Sequence, residues 1–309
     1  MLKTQDLLRP VKSQRNILVP RFRSHYRDAM KIIVLVFITM LGLLPTGFAQ
    51  VPAPGSNFFT ASDGVKIHYL TAGNSGSWVV LIHGYMDSAQ RMWFTTGIAP
   101  AIAKTHRVVA LDNRNHGQSD KPQPNGTGRA LDVIELMDHL KIQRAHIHGY
   151  SMGGGITGQL LAIAPERFIT AGFGGSGLTE ADADLRAKAA AMDDKLPGPE
   201  GADAQAMERF RARVTAARPA GATAPETTPA AATPATPPLD LSRLAVPIIA
   251  INGSFDRPYS KTHRLWREAS VFQNVILPGK THLTAIAVGG PMPQQYIDAM
   301  VKFIDSYDK

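Results

Sequence analysis

The sequence predicts an α/β fold with a doubly wound, mainly parallel β-sheet. Short apolar runs alternate with segments of helical period, as is typical of this class. Several runs are apolar at consecutive positions, which parallel strands covered on both faces require. The predicted strands are residues 65–70, 78–82, 108–111, 145–148, 169–173, 246–251 and 275–277, and the predicted helices are 89–103, 130–140, 154–164, 261–270 and 292–307.

The composition is that of a globular protein, and the absence of cysteine narrows its chemistry. The chain has 309 residues, of which 44% are hydrophobic and 19% charged, and it has no Cys. Disulfide scaffolds, cysteine nucleophiles and thiolate zinc sites are therefore excluded.

The net charge of +8 is concentrated in the first 31 residues, which carry +6 of it. The rest of the chain is nearly neutral, so a basic surface for nucleic acid is not expected. We interpret this charge as a targeting feature.

An apolar run at residues 32–44 follows the basic segment, and small residues at Gly47 and Ala49 precede Gln50. This order predicts a secretory signal cut after Ala49. The 13-residue run is shorter than the roughly 18 residues that span a bilayer. We expect an exported protein, periplasmic or secreted, with an uncleaved segment anchored in the inner membrane as the alternative. Residues 1–49 would then be the extension and signal, and 50–309 the folded domain.

Residues 178–238 do not follow the alternation of predicted strands and helices. The segment is Ala-rich and charged as far as about residue 213, which suits one or two exposed helices. From 216 to 238 it consists almost entirely of Ala, Thr, Pro and Gly. Because such a tract buries little apolar surface, we expect a reduced cap that ends in a mobile or extended linker.

A candidate nucleophile follows the predicted strand at residues 145–148. Gly149-Tyr150-Ser151-Met152-Gly153 fits the G-x-S-x-G pattern, in which small residues allow a tight turn that exposes the serine hydroxyl. The alternative is a glycine-rich turn without chemistry. The flanking strand and helix favour Ser151 as a nucleophile.

Two later strand ends supply a candidate acid and base. Asp256 follows the strand at residues 246–251, and His282 follows the strand at residues 275–277. Their loops open on the same edge of the sheet as Ser151, and the chain order Ser, acid, His fits this fold. Glu180 is the alternative acid. The other nine histidines fall in the leader, within strands or helices, before a strand, or at loop and helix-start positions.

An oxyanion site is expected beside the nucleophile. The strand at residues 78–82 ends in His83-Gly84-Tyr85, where Gly84 allows close approach of the backbone. We predict the backbone N–H groups of Tyr85 and Met152 as the donors. His83 is expected to hold this loop rather than to act as a second base.

These motifs resemble the α/β-hydrolase fold family, in particular its esterase-like and lactonase-like members with a His-Gly oxyanion loop. The resemblance covers residues 58–175 and 244–307. It includes the stretch from Asp112 to Ser119, which looks like the family's D-x-R-G-H-G-x-S with Asn115 at a usual glycine position. Ser151 argues against the epoxide hydrolase and haloalkane dehalogenase branches, which use a carboxylate there.

The sequence as a whole predicts an exported serine hydrolase that cleaves carboxylic esters, with lactones and thioesters as further candidate substrates. Ser151, His282 and Asp256 would form the triad, and no metal or organic cofactor is expected. A small-molecule ester is the expected partner, without nucleic acid, and no oligomeric state is predicted. The alternatives are a carbon–carbon hydrolase, a cofactor-free perhydrolase, and a ligand-binding protein built on the same fold.

Overall fold

Eight strands form one sheet in the part of the chain that the computed structural model describes, residues 53–122, 128–193, 196–216, 239–286 and 294–308. Their order is β1-β2-β4-β3-β5-β6-β7-β8. Strand β2 runs antiparallel to both neighbours, and β3 to β8 are parallel. The predicted mainly parallel sheet is confirmed. The strands are β1 Gly55–Thr60, β2 Lys66–Ala72, β3 Trp78–Ile82, β4 Arg107–Leu111, β5 Ala145–Tyr150, β6 Phe168–Gly174, β7 Ile248–Gly253 and β8 Phe272–Leu277.

Helices cover both faces of the sheet. Among the described residues they are α1 Ile98–Ile102, α2 Arg129–His139, α3 Met152–Ile163, α4 Ala183–Asp193, α5 Gly201–Ala216, α6 His263–Glu268 and α7 Gln294–Asp305. None of these helices has both the length and the apolar character needed to cross a bilayer.

The core consists of two apolar layers, one on each side of the sheet. Alternate residues of β3 point to opposite sides, so that Val80 and Ile82 pack in one layer and Val79 and Leu81 in the other. Helices α2, α3 and α6 contribute to the first layer, whereas α1 and α7 contribute to the second. This double coverage is the reason that the central strands are apolar at consecutive positions.

Two predicted helices differ from the structure. The helix expected over residues 89–103 is divided into a single wide turn, Gln90–Phe94, and the short α1. Gly97 separates the two with a φ of 84°, a conformation that an α-helix does not contain. The helix expected over 261–270 begins only at His263, because Tyr259–Thr262 forms a tighter 3₁₀ turn.

The edge strand β1 is absent from the sequence prediction. Its six residues are exposed except for Phe59, and its only partner is β2. A strand with so little burial lacks the apolar signal on which the prediction depends.

The predicted cap is described only in part. Helices α4 and α5 lie within residues 178–238, and most of their side chains are exposed, as expected. The Ala, Thr and Pro tract from 217 to 238 and the extension at residues 1–49 lie outside the described residues.

Candidate active site

Ser151 lies in a sharp turn between β5 and α3. Its backbone has a φ of 55° and a ψ of −114°, a strained conformation for a residue with a side chain. The turn depends on its glycines, since a Cβ at Gly149 would lie 2.0 Å from the Gly153 carbonyl oxygen. A Cβ at Gly153 would lie 2.1 Å from the Ile82 carbonyl oxygen. The G-x-S-x-G spacing is therefore a steric requirement of this turn.

The structure brings Ser151, His282 and Asp256 together in one hydrogen-bonded chain. The Ser151 Oγ lies 2.9 Å from Nε2 of His282. Nδ1 of the same ring lies 3.0 and 3.1 Å from the two carboxylate oxygens of Asp256. With the proton on Nδ1, the imidazole donates to the carboxylate and accepts from the serine hydroxyl, which is the arrangement that general-base activation of a serine needs.

The loops that carry the acid and the base are joined by their backbones. The Phe255 N–H donates to the Lys280 carbonyl oxygen over 2.8 Å. A Cβ at Gly253 would lie 2.1 Å from that oxygen, so the absence of a side chain lets the two loops meet. This contact fixes Asp256 relative to His282 although they come from different strands.

Asp256 is buried, with 2% of its surface exposed. Burial opposes its ionisation, but the charges of His282 and Lys261 and their hydrogen bonds outweigh it and hold the pKa of Asp256 below its usual value. The Lys261 Nζ lies 2.7 Å from Oδ1 of Asp256. The acid is therefore a carboxylate with two polar partners.

The predicted oxyanion donors lie on either side of Ser151. Met152 is the first residue of α3, where the N–H has no partner within the helix. On the other side, a Cβ at Gly84 would lie 3.2 Å from Cβ of Ser151, and the Gly84 N–H already donates to Sδ of Met92. The N–H of Tyr85 has no acceptor within the described residues. The two predicted donors are thus available to a ligand.

His83 holds the loop after β3 by two hydrogen bonds. Its Nδ1 donates to the Gly84 carbonyl over 2.7 Å, and its Nε2 accepts from the Asn113 N–H over 3.0 Å. Burial lowers the pKa of His83 to about 4, which keeps the ring neutral as both bonds require. The structure places His83 in the supporting role expected from the sequence.

Tyr150 holds the main chain of the base, His282, through a hydrogen bond. Its hydroxyl donates to the main-chain oxygen of His282 over 2.7 Å, and the two rings lie 5.4 Å apart. Nearby, the Tyr296 hydroxyl donates to Nε2 of His148. Burial lowers the pKa of His148 to about 3, so that ring is neutral and able to accept. The first of these hydrogen bonds joins β5 to the base, and the second joins α7 to β5.

The cap reaches the triad through one aromatic side chain. The ring of Phe210, on α5, lies 5.8 Å from the imidazole of His282. The cap is also tied to the acid loop, since the Asp193 carboxylate accepts from the Tyr259 N–H over 3.1 Å. Glu180 adds an ion pair of 2.6 Å to Arg267. Phe210 therefore places an apolar ring beside His282.

Three residues near the triad were not identified from the sequence. Lys261 fell inside a predicted helix, and nothing in the sequence indicated its contact with Asp256. Phe210 is the sole aromatic residue between positions 178 and 216, which is a usable signal. Tyr150 adjoins the nucleophile, but only the fold brings it to His282.

The stretch after β4 has a structural role. Asn115, at the usual glycine position, has a φ of 69°, and asparagine is among the side chains that best tolerate this conformation. Oδ1 of Asp112 accepts from the Ala89 N–H over 2.7 Å. The departure at Asn115 is therefore compatible with the turn.

Comparisons with known proteins extend these observations. The model of the alpha/beta hydrolase fold matches residues 77–218. The acetyltransferase component of the acetoin cleaving system of Cupriavidus necator is 36% identical over 134 residues, 40% of this chain and 35% of that protein. A 2-hydroxy-6-oxononadienedioate/2-hydroxy-6-oxononatrienedioate hydrolase of Paraburkholderia xenovorans is 34% identical over 114 residues, 34% of this chain and 39% of that protein. The chain thus spans little more than a third of the length of either relative.

A solved structure agrees over most of the chain. The meta-cleavage product hydrolase of Pseudomonas fluorescens superimposes with a TM-score of 0.57 and 24% identity, covering 81% of this chain and 97% of that one. Likeness at this identity concerns the fold. Together, the family match over residues 77–218 and the shared sheet architecture show that the chain has the α/β-hydrolase fold.

Proposed function

We propose that the protein is a serine hydrolase that cleaves carboxylic esters through an acyl-enzyme. The observation that carries this proposal is the hydrogen-bonded chain from Ser151 through His282 to Asp256. Its distances suit proton transfer from the serine hydroxyl to the imidazole. The hydrolase names of relatives over part of the chain support the same class.

In the proposed reaction, Ser151 Oγ attacks the ester carbonyl carbon while Nε2 of His282 accepts its proton. The N–H groups of Tyr85 and Met152 donate to the oxyanion that forms. His282 then gives the proton to the departing alcohol, leaving an acyl-Ser151 ester. Water attacks this ester with His282 again as base, and the carboxylic acid is released. Asp256 stabilises the imidazolium in both halves.

The environment of the triad favours an apolar acyl group. The Phe210 ring lies 5.8 Å from the imidazole of His282 and offers an apolar surface next to Ser151, which contacts the same imidazole. Lactones and thioesters share the same carbonyl chemistry and remain within the proposal. We further propose that the protein is exported, on the basis of the basic and apolar segments before Gln50.

A carbon–carbon hydrolase is the second candidate, favoured by the match to the 2-hydroxy-6-oxononadienedioate/2-hydroxy-6-oxononatrienedioate hydrolase. It would use the same triad on a diketone-type substrate. A cofactor-free perhydrolase would instead transfer the acyl group to hydrogen peroxide. Assays of diketone cleavage and peracid formation beside ester cleavage distinguish the three.

The test is hydrolysis of a chain-length series of p-nitrophenyl esters, combined with fluorophosphonate labelling. We expect Ser151→Ala to lower kcat by about four orders of magnitude or more and to abolish labelling, because the nucleophile is lost. Ser176→Ala is the matched control, since the Ser176 hydroxyl is buried near α3 without a hydrogen-bond partner among the described residues. Full activity in Ser151→Ala would overturn the proposal. Labelling at Ser151 without turnover would indicate a substrate outside the ester series, and the absence of both labelling and turnover would favour the ligand-binding alternative.

A further inference from the structure

A largely buried lysine contacts the acid of the triad and shares one of its oxygens with the base. Lys261 lies in the Tyr259–Thr262 turn, its side chain is 12% exposed, and its Nζ lies 2.7 Å from Oδ1 of Asp256. Lysine is almost never buried unless it is paired. The same Oδ1 also contacts Nδ1 of His282 at 3.0 Å, so one carboxylate oxygen serves both groups.

The turn that carries Lys261 is held in place from two sides. A Cβ at Gly177 would lie 2.0 Å from the Lys261 carbonyl oxygen, so the loop after β6 packs directly on the turn. On the cap side, the Asp193 carboxylate accepts from the Tyr259 N–H over 3.1 Å and from the Ser260 hydroxyl over 3.0 Å. The ammonium is therefore presented to Asp256 by a fixed backbone.

The charges of two carboxylates act on Lys261. Burial lowers the pKa of Lys261 on balance, while the charges of Asp256 and Asp193 favour the ammonium form. Burial also raises the pKa of the two phenols that face Asp256, so neither is charged near neutral pH. The titratable groups around the pair are Asp193 of α4, His282, Tyr150 of β5 and Tyr296 of α7.

We propose that Lys261 is a positioning residue of the triad, whose ammonium orients the Asp256 carboxylate and weakens its pull on a protonated His282. This inference rests on the proposed function, in which His282 must be neutral to accept the serine proton. An ammonium on the carboxylate oxygen that also contacts the imidazole disfavours a second cation on that ring. Lys261 thereby extends activity to lower pH.

The direction of the pH effect follows from this arrangement. When the ammonium is removed, the Asp256 charge acts on the imidazole alone, and the protonated ring is stabilised. Deprotonation of His282 then requires a higher pH. The acidic limb of the pH profile should move up by about one pH unit, the lower end of the range for a nearby charge. A lysine with a structural role alone would affect stability or the plateau rate without moving the limb.

The experiment measures the rate of Ser151 phosphonylation by a fluorophosphonate between about pH 5 and 9, a readout that needs no knowledge of the substrate. The full chain is compared with Lys261→Met, Lys261→Gln and Lys261→Arg. Lys302→Met is the matched control, because Lys302 is exposed on α7. We expect a higher midpoint in the Met and Gln variants and an unchanged midpoint in the Arg and control variants.

The outcomes separate this inference from the proposed function. Absence of labelling at Ser151 in the unaltered protein would overturn both. Labelling with the same midpoint in Lys261→Met or Lys261→Gln would overturn the role of Lys261 alone. If both neutral variants fail to fold while Lys261→Arg folds, the lysine is a structural residue and the inference is wrong.

Discussion

At the scale of single residues, the candidate site combines a strained backbone at the nucleophile with triad side chains that are hydrogen-bonded to one another. Ser151 has a positive φ because β5 must turn sharply into α3. Conformations of this kind cost of order 1–3 kcal/mol and persist only when the surroundings hold them. Here the Ser151 N–H donates to the Gly174 carbonyl oxygen over 2.8 Å, which fixes the turn against β6. The nucleophile is thus placed before any substrate arrives.

The hydrogen bond from Tyr150 to the main chain of His282 gives a prediction about the base. Tyr150→Phe keeps the ring packing but leaves the carbonyl oxygen without its 2.7 Å donor. We expect kcat/KM for esters to fall about fivefold with little change in KM, since a lost hydrogen bond is worth about 1 kcal/mol and the base becomes less well placed.

Tyr296→Phe is the control for this variant. It removes the phenol that donates to His148 rather than to His282. We expect a lower melting temperature with kinetics close to those of the unaltered protein. If Tyr150→Phe retains full kcat/KM, the base does not depend on this bond.

At the scale of elements, helix α3 and the cap determine how the site is formed and covered. Helix α3 begins directly after the nucleophile, and its first glycine, Gly153, packs against the end of β3. The cap helices are mostly exposed and make few buried contacts, with Ala189 and Met207 the buried apolar residues of α4 and α5. The turn that carries the nucleophile is therefore tightly packed, whereas the cap helices near the base bury few side chains.

Two glycines of α3 give a matched pair of stability predictions. Gly153→Ala places a Cβ 2.1 Å from the Ile82 carbonyl oxygen, whereas a Cβ at Gly155 meets nothing within 4 Å. We expect the first variant to lose about 1–3 kcal/mol of unfolding free energy and most of its activity. The second should gain up to about 1 kcal/mol through the higher helix propensity of alanine. Equal stability of the two variants in urea denaturation would contradict the packing described for β3 and α3.

Phe210 gives a prediction about substrate selectivity. Phe210→Ala removes the apolar ring beside His282, and we expect KM for long-chain p-nitrophenyl esters to rise more than KM for the acetate, because apolar contact scales with buried area. The comparison is with Arg209→Ala, an exposed residue of the same helix. A uniform change in KM across the series would show that the ring does not contact the acyl chain.

At the scale of the whole molecule, the charge is distributed unevenly along the chain. Residues 1–31 hold +6 of the net +8, while the chain from there onward is nearly neutral. The first described strand of the sheet begins at Gly55. The basic and apolar segments therefore precede, along the chain, the residues that carry the proposed chemistry.

This order along the chain predicts export with removal of the leader. Fractionation of cells that express the full chain should recover the protein outside the cytoplasmic membrane, and N-terminal sequencing should begin at Gln50. An end at Met1 or Met30 in a membrane fraction would indicate an uncleaved anchor. Recovery from the cytosol alone would contradict export.

The fold class and the identity of the candidate triad could be predicted from the sequence. Apolar runs at consecutive positions required a sheet covered on both faces, and strand-end positions selected Ser151, Asp256 and His282 because parallel strands end at one edge. The pattern of apolar residues did not predict β1, because that strand buries little surface. It also did not predict the end of a helix at Gly97, because a single glycine interrupts the helix there.

Only the tertiary structure determined the surroundings of the triad. Lys261 contacts Asp256 because the loop after β6 and the end of α4 hold its turn in place, and Phe210 reaches His282 across a long separation in sequence. These contacts are between side chains from different elements, and no periodicity along the chain encodes them. The sequence by itself determined the chemistry that the chain carries. Packing decided how the charges around that chemistry are arranged, because electrostatic interactions depend on distances that exist only in the folded protein.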